Sequence, residues 1–144
     1  MKANPETEAA VINVVNRFAD AFAKQDLNAM LELYAPDPDV VVIGTGSDEK
    51  RIGLVEIKDL FKRDFAQFRD ASLQVDCHTV SAAGSVAWAA ADATVNANTG
   101  DQELLLQVRL TFVLERRGDK WLIVQFHGSA PAAGQEEGEA FPKQ

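Results

Sequence analysis

Gln102 to Pro131 reads QELLLQVRLTFVLERRGDKWLIVQFHGSAP and predicts a long β-hairpin. Two runs of apolar and β-branched residues flank Gly118-Asp119, a dipeptide that favours a two-residue turn between antiparallel strands. Each run contains one polar residue that a plain core would not hold, Arg109 in the first and His127 in the second. Since burying an unpaired charge costs several kcal/mol, these side chains indicate either an ion pair or a polar cavity.

The hairpin is preceded by further strands and, before those, by helices. Turn residues at Ala83-Gly84 and Asn98–Asp101 divide the second half of the chain into four predicted strands, at about 73–82, 85–96, 102–116 and 120–129. Apolar residues at helical spacing predict helices over about 5–24 and 54–69.

Between these two helices the sequence predicts a short helix and a short strand. Asp26 is the predicted N-cap of the short helix, which ends at the prolines of APDPD. Val40–Ile43 predicts a buried strand, and GTGSDEKRIG an exposed loop. Helices first and strands later predict an α+β domain, with the helices packed on one face of a curved antiparallel sheet that leaves a cavity between them.

Composition limits the classes of protein and ligand. A length of 144 residues fits one domain, expected over 5–130, with a flexible acidic tail over 131–144. A net charge of −8 argues against binding nucleic acid. The single cysteine, Cys77, allows no intrachain disulfide. No signal-peptide core and no apolar run of about 20 residues is visible, so we expect a cytoplasmic protein without membrane contact.

The sequence offers no set of metal ligands and no phosphate-binding loop. His78 and His127 are far apart, and with one cysteine they do not have the spacing of a metal site. No glycine-rich phosphate motif is present. We therefore expect no metal and no cofactor.

The order of helices and strands resembles the nuclear transport factor 2-like superfamily and, within it, the SnoaL-like domains. The resemblance covers residues 8–130 and rests on FADAFAKQDLNAMLELYAPDPDVVVIG and RLTFVLERRGDKWLIVQFHGSAP. GDKWLIV and FHGSAP are also similar to the association domain of calcium/calmodulin-dependent kinases. The resemblance to the nuclear transport factor 2-like superfamily implies a cone-shaped curved sheet around three N-terminal helices. Relatives include isomerases, dehydratases, cyclases, epoxide hydrolases and members that only bind or oligomerise, so the fold does not fix the function.

The resemblance also implies positions for isomerase chemistry, which this chain does not fill. Relatives resembling ketosteroid isomerase use a carboxylate base on the first strand, with a tyrosine and a protonated acid as the oxyanion hole. The base position falls on Val42 or Ile43, the tyrosine position on Phe18, and the second acid near Thr111. An isomerase of that type is therefore disfavoured.

Strand register predicts which polar residues share a face. With Asn98–Asp101 as the turn, Trp88 lies opposite Thr111 and Asp92 opposite Gln107, which makes Asp92 and Arg109 diagonal neighbours. These five residues form a mixed face, whereas the other face is uniformly apolar. We expect the mixed face to line the cavity, with Arg109 holding an anionic or carbonyl group. The alternative is a structural Asp92–Arg109 pair in a dry core or a dimer interface.

The last turn decides where His127 lies. With Gly118-Asp119 as a two-residue turn, Arg109 pairs with Gly128, and His127 points to the opposite face, towards a subunit contact. A turn of odd length would reverse this, because a slip of one residue exchanges the two faces. His78 is expected on the surface without a partner.

These patterns predict a small-molecule-binding SnoaL-like protein of unassigned activity. Its ligand would be small and either apolar or anionic, and the catalytic candidates are Arg109, Asp92 and His127. The alternative is a non-catalytic oligomerisation or interaction module. A homodimer through the sheet is expected in either case, since the all-apolar face needs a cover. The residues expected to line the pocket are Tyr34, Phe61, Phe65, Trp88, Asp92, Arg109, Thr111 and Phe126.

Overall fold

Three helices precede most of a six-stranded sheet in the computed structural model, which describes residues 1–144. The helices are α1 (Pro5–Lys24), α2 (Leu27–Leu31) and α3 (Leu54–Phe65). The strands are β1 (Val41–Ile43), β2 (Lys50–Ile52), β3 (Arg69–Ala83), β4 (Val86–Asn98), β5 (Glu103–Arg117) and β6 (Lys120–Ser129). They form one curved, unclosed sheet in the order β2-β1-β6-β5-β4-β3, which confirms the predicted α+β fold class.

Side-chain caps fix where the first two helices begin. The Asn4 side chain accepts a hydrogen bond from the Thr7 backbone N–H at 2.8 Å, and Pro5 fits the first turn, where no N–H donor is needed. Asp26 caps α2 through the Ala29 N–H at 3.0 Å, as predicted. Gln25, between the two helices, adopts the left-handed conformation that ends α1.

Helix α3 ends at Phe65, four residues earlier than its apolar spacing predicts. The Gln25 side-chain amide donates to the backbone carbonyls of Phe65 and Phe68, which ties the end of α3 to the α1–α2 corner. Phe68 still stacks on Phe22 at 5.0 Å between ring centroids. The apolar pattern therefore continues past the helix, because the chain that follows packs on the same core.

The sheet contains two features that the sequence did not predict. Strand β2 lies within the stretch expected as an exposed loop, and its three residues, Lys-Arg-Ile, are too few to predict an edge strand. Strand β1 pairs with β6 in parallel, whereas the other four pairings are antiparallel, and three of these four, among β3, β4, β5 and β6, were predicted. The sheet is therefore mixed.

The helices cover the uniformly apolar face of the sheet. Phe112 is fully buried, with its ring 5.3 Å from Phe18 of α1 and 5.0 Å from Phe126 of β6. The same face supplies most of the strand residues in the core, and the opposite face holds no buried residue on β5. Buried members of the apolar face include Ala87, Ala89, Ala91, Ala93, Ala97, Val108, Leu110, Phe112, Leu114, Ile123 and Phe126.

The register of β4 against β5 differs by two residues from the predicted one. Trp88 pairs with Val113, and Asp92 lies directly opposite Arg109 rather than on a diagonal. The β4–β5 connection keeps its four residues but lies one position further along the chain, over 99–102 rather than 98–101, because pairing extends to Asn98–Glu103. A shift of two residues keeps every side chain on its predicted face.

His127 lies on the same face as Arg109, so the predicted separation of the two is wrong. The Gly118-Asp119 turn is as expected, with Arg117 paired to Lys120. Further along, the register shifts between Val113 and Leu114, because Val124 is an extra residue on β6. Because of this bulge, the residues of β6 that follow it point to the opposite face from the one predicted, and His127 lies opposite Thr111.

The chain beyond Ser129 forms turns rather than strands or helices. Gln135 N–H donates to the Ala132 carbonyl at 3.3 Å, and Lys143 N–H donates to the Gly134 carbonyl at 3.1 Å. Most residues of this segment are exposed, and its flexibility stays a prediction. None of the helices is both long and apolar enough to span a bilayer.

Phe112→Ala should lower the free energy of unfolding by about 3–5 kcal/mol, because it leaves a cavity between two aromatic rings. Its neighbour Thr111, which faces solvent, provides a matched control, and Thr111→Ala should cost less than about 1 kcal/mol. Urea denaturation of both variants measures the difference. Equal losses would contradict the assignment of the two faces.

Candidate functional site

A cavity of about 480 Å³ lies between the helices and the apolar face of the sheet. We call it the inner cavity. Of its 22 lining residues 14 are hydrophobic, and its size is within the range of small-molecule sites. Its walls include the rings of Phe18, Phe61 and Phe126. At its rim Leu104 keeps 40% of its surface exposed, so the apolar wall reaches the opening.

Three ionisable residues line the inner cavity, and they lie together. Glu49 comes from the β1–β2 connection, whereas Arg63 and Asp64 come from the last turn of α3. The Arg63 guanidinium donates to Asp64 at 3.2 Å and to Asp48, which is outside the lining, at 2.6 Å. The lining thus carries two carboxyl groups and one guanidinium, and the guanidinium is already paired.

A tight loop holds the Glu49 side chain. The Gly44 N–H donates to the Glu49 carbonyl at 2.7 Å, and the Gly46 N–H donates to the Glu49 carboxylate. A Cβ atom on Gly44 would lie 3.0 Å from the Glu49 carboxylate, and one on Gly46 would overlap it. The absence of a side chain at both glycines leaves room for the carboxylate to fold back over the loop.

Burial raises the pKa of the Glu49 carboxyl group above its usual value of 4.5. The Gly46 N–H acts in the opposite direction, the neighbouring Asp64 carboxylate raises the pKa further, and Arg63 lowers it. A carboxyl group with a raised pKa beside a cavity is a common feature of functional sites. The sequence analysis missed Glu49 because its surroundings read only as a polar loop.

Four of the eight predicted pocket residues lie on the cavity side of the fold. Phe61 and Phe126 line the inner cavity, although Phe126 reaches it from the apolar face, opposite Phe112, rather than from the face of Arg109 and Thr111. Phe65 and Tyr34 are buried in the core without lining it, and the Tyr34 ring lies 6.2 Å from that of Phe61. The Tyr34 hydroxyl has no hydrogen-bond partner, and burial raises its pKa.

The other four residues lie on the opposite face of the sheet, so the prediction that the mixed face lines the interior is wrong. Asp92, Arg109 and Thr111 are exposed, and Trp88 is half-buried. The reason is that the uniformly apolar face gains more from being covered by helices than a face carrying an arginine and an aspartate. Whether these four residues bind a ligand from the outer side stays a prediction.

The mixed face carries a polar depression of about 450 Å³, which we call the outer groove. Asp76, Asp92 and Arg109 line it, and only 3 of its 10 lining residues are hydrophobic. Arg109 lies opposite Asp92 in the register but forms no ion pair with it. Asp92 instead contacts His78 Nε2 at 2.7 Å.

His78 therefore has a partner, contrary to prediction, although it is on the surface as expected. It is the extra residue of a bulge in β3, where Cys77 pairs with Ala91 and Thr79 with Ala90. The bulge turns its ring towards Asp92. The hydrogen bond and the charge of Asp92 raise the pKa of His78 above the ordinary 6.5.

The structure places none of the three catalytic candidates in the inner cavity. Asp92, Arg109 and His127 all lie on the exposed face, outside the inner cavity. Of the positions that correspond to isomerase groups, Phe18 and Val42 line the cavity and are apolar, and Thr111 faces outward. No cluster of three or more metal-ligating side chains is present.

The sequence of this chain matches that of a known domain family. Residues 11–133 match the sequence model of SnoaL-like domains. No curated protein matches the chain at a significant level.

Solved structures of similar fold come from several bacteria. A nuclear transport factor 2-like superfamily protein from Salmonella enterica is 20% identical and has a TM-score of 0.83, covering 96% of this chain and 100% of that one. A proposed calcium/calmodulin-dependent protein kinase II association domain from Xanthomonas campestris is 27% identical with a TM-score of 0.73, covering 92% and 91%. A proposed dehydratase of the same superfamily from Streptomyces avermitilis is 20% identical with a TM-score of 0.77, covering 90% and 100%.

The pKa of His78 should lie above 6.5 in the wild type and fall back towards 6.5 in Asp92→Asn. Because the folded-state pKa is raised, the pair stabilises the fold below pH 6.5, and this contribution is lost as the pH rises through the raised value. NMR titration of the imidazole resonances measures both. Asp101→Asn removes a distant exposed carboxylate as the control, and an unchanged His78 pKa in Asp92→Asn would contradict the contact.

Proposed function

Because this chain belongs to the SnoaL-like domain family, we propose that it binds a small, largely apolar molecule in its inner cavity. The observation that carries the proposal is the combination of an apolar lining with a polar rim at one end. Binding sites for small molecules usually have this composition, since apolar walls supply affinity and a few polar groups fix orientation. The outer groove is less suitable because its lining is mainly polar and it lies on an open face.

The apolar walls come from both layers of the fold, which supports a cavity that is already formed without ligand. Leu106, Val108 and Leu110 contribute from β5, and Leu60 and Phe61 contribute from α3. Val108, Leu110 and Phe61 are each at most 7% exposed, so their positions are fixed by packing in the core. A preformed site loses less conformational entropy on binding than one that must be ordered.

The neutral probe 1-naphthalenemethanol should bind to the inner cavity and shift the amide resonances of β5 and α3. Leu106→Trp places an indole in the cavity and should weaken binding by about tenfold or more. Gln107→Trp, on the next residue and the opposite face, is the matched control and should bind like the wild type. Titrations followed by ¹⁵N–¹H NMR give both the dissociation constants and the location. Shifts confined to Asp92, Arg109 and their neighbours would contradict the proposal.

A second candidate function is self-association through the mixed face. It is favoured by the 27% identity to the proposed kinase association domain. The apolar face of the sheet does not need a second copy to cover it, because α1 and α3 of the same chain provide that cover. Two copies would instead meet through the exposed side of β3–β6, where Trp88 and the unpaired Arg109 lie. This contact leaves the inner cavity free, so the two functions are compatible.

If two copies meet through the mixed face, Arg109→Glu should dissociate the dimer. The substitution adds negative charge beside Asp76 and Asp92, in a chain whose net charge is already −8, so like charges would repel across the interface. Sedimentation velocity should give twice the chain mass of 15.7 kDa for the wild type and a value near 15.7 kDa for the variant. Lys58→Glu makes the same charge change on exposed α3 and should leave the dimer intact. A monomeric wild type would refute this candidate.

A further inference from the structure

We infer that the inner cavity selects apolar molecules that carry a protonated amine, with Glu49 as the carboxylate that pairs with the ammonium group. This inference rests on the proposed binding function and adds the chemical class of the ligand. It starts from the charges of the lining, which are gathered at one end of an otherwise apolar space.

The charged groups of the lining do not balance. Arg63 is the only cation among the lining residues, and its guanidinium is engaged by Asp48 and Asp64. Glu49 has no cationic side chain within ion-pair distance. The cavity thus carries one carboxylate more than its own cation can neutralise, and a cationic ligand group would supply the missing charge.

The Glu49 carboxylate has bonding capacity left for a ligand. One of its oxygens, Oε2, accepts the hydrogen bond from the Gly46 N–H, whereas Oε1 accepts none from a protein N–H, and the Asp64 carboxyl lies within hydrogen-bonding reach of the Glu49 side chain. The Gly44–Gly46 loop fixes the side chain, so binding would not have to order it. An ammonium group offers three donors and suits a carboxylate oxygen that is free on one side.

The same arrangement disfavours a ligand with an anionic group, which the sequence analysis had allowed. An anion in the inner cavity would face the Glu49 and Asp64 carboxylates, and Arg63 could reach it only by giving up part of its existing contacts. Like charges at close range lower affinity. An anion therefore has no cation available to it in the lining.

Burial provides a second argument, independent of the count of charges. The Glu49 carboxyl group is harder to ionise in the folded chain than in water, chiefly because it is partly removed from solvent. A bound cation would favour its ionised form, so amine binding should lower its pKa. The groups that face Glu49 are Arg63 and Asp64 from α3 and the Gly46 N–H of its own loop, and the β4–β5 wall of the cavity brings no charge.

Three probes that differ in one group test the inference: 1-naphthylmethylamine, 1-naphthalenemethanol and 1-naphthoic acid. At neutral pH the first is a cation, the second is neutral and the third is an anion. The wild type should bind the amine about fivefold or more tighter than the alcohol, as expected for a partly exposed ion pair, and the acid most weakly. NMR titration under the conditions used for the alcohol gives all three dissociation constants.

Glu49→Gln keeps the shape of the side chain and removes its charge, so the ratio of amine to alcohol affinity should fall to near one. Asp101→Asn removes a carboxylate from the β4–β5 turn, next to the cavity rim but outside its lining, and should keep the wild-type ratio. The amine preference should also disappear as the pH falls through the raised pKa of Glu49, while the amine itself stays protonated.

The possible outcomes distinguish the selectivity for amines from the proposed binding of small molecules in the inner cavity. If none of the probes binds in the cavity, the proposed function itself is overturned. If the alcohol binds but the amine binds no more tightly, or the acid binds best, only the selectivity for amines is refuted. A preference for the amine that survives in Glu49→Gln would assign the selectivity to another group and refute the role of Glu49.

Discussion

Phe112 packs between Phe18 of α1 and Phe126 of β6, and the rest of the structure depends on this contact between the sheet and the first helix. It commits the apolar side of β5 to the interior, and the side chains that alternate with it must then face outward. The inner cavity lies where the helices and the curved sheet diverge and no longer pack against each other. Its apolar walls are therefore a continuation of the core, and its polar rim lies where that core ends.

The elements and faces of this fold could largely be predicted from periodicity. Helix α1 and strand β6 have the predicted bounds, and the separation of β4 and β5 into an apolar and a mixed face is correct. The error concerned which face is inside. Arg109 within a strand predicts a polar cavity, but the hydrophobic effect acts on the summed apolar area of a face, so the face without charged residues is the one that becomes buried.

The rest could not be predicted because it depends on single inserted residues and on contacts between distant segments. Val124 shifts β6 by one position and reverses the face of His127, and His78 forms a similar bulge in β3. Nothing in the local pattern of either strand indicates an extra residue. Glu49 lies near Arg63 and Asp64 only because the end of β1 and the end of α3 converge at the cavity rim. A single sequence contains no signal for that convergence.

The carboxyl groups of this chain differ in how they affect stability, and the difference coincides with the cavity. Hydrogen bonds from Arg117 lower the pKa of Asp37, and those from Arg63 lower the pKa of Asp48, so both favour the folded state above pH 3.8. The pKa of Glu49 is instead raised, so its ionisation is less favourable in the folded chain, and the fold loses stability as the pH rises through the raised value. A carboxyl group whose ionisation lowers the stability of the fold is explained by a functional role, since functional groups commonly reduce stability. Glu49 lies at the polar end of an apolar cavity, where a ligand's positive charge would offset that cost.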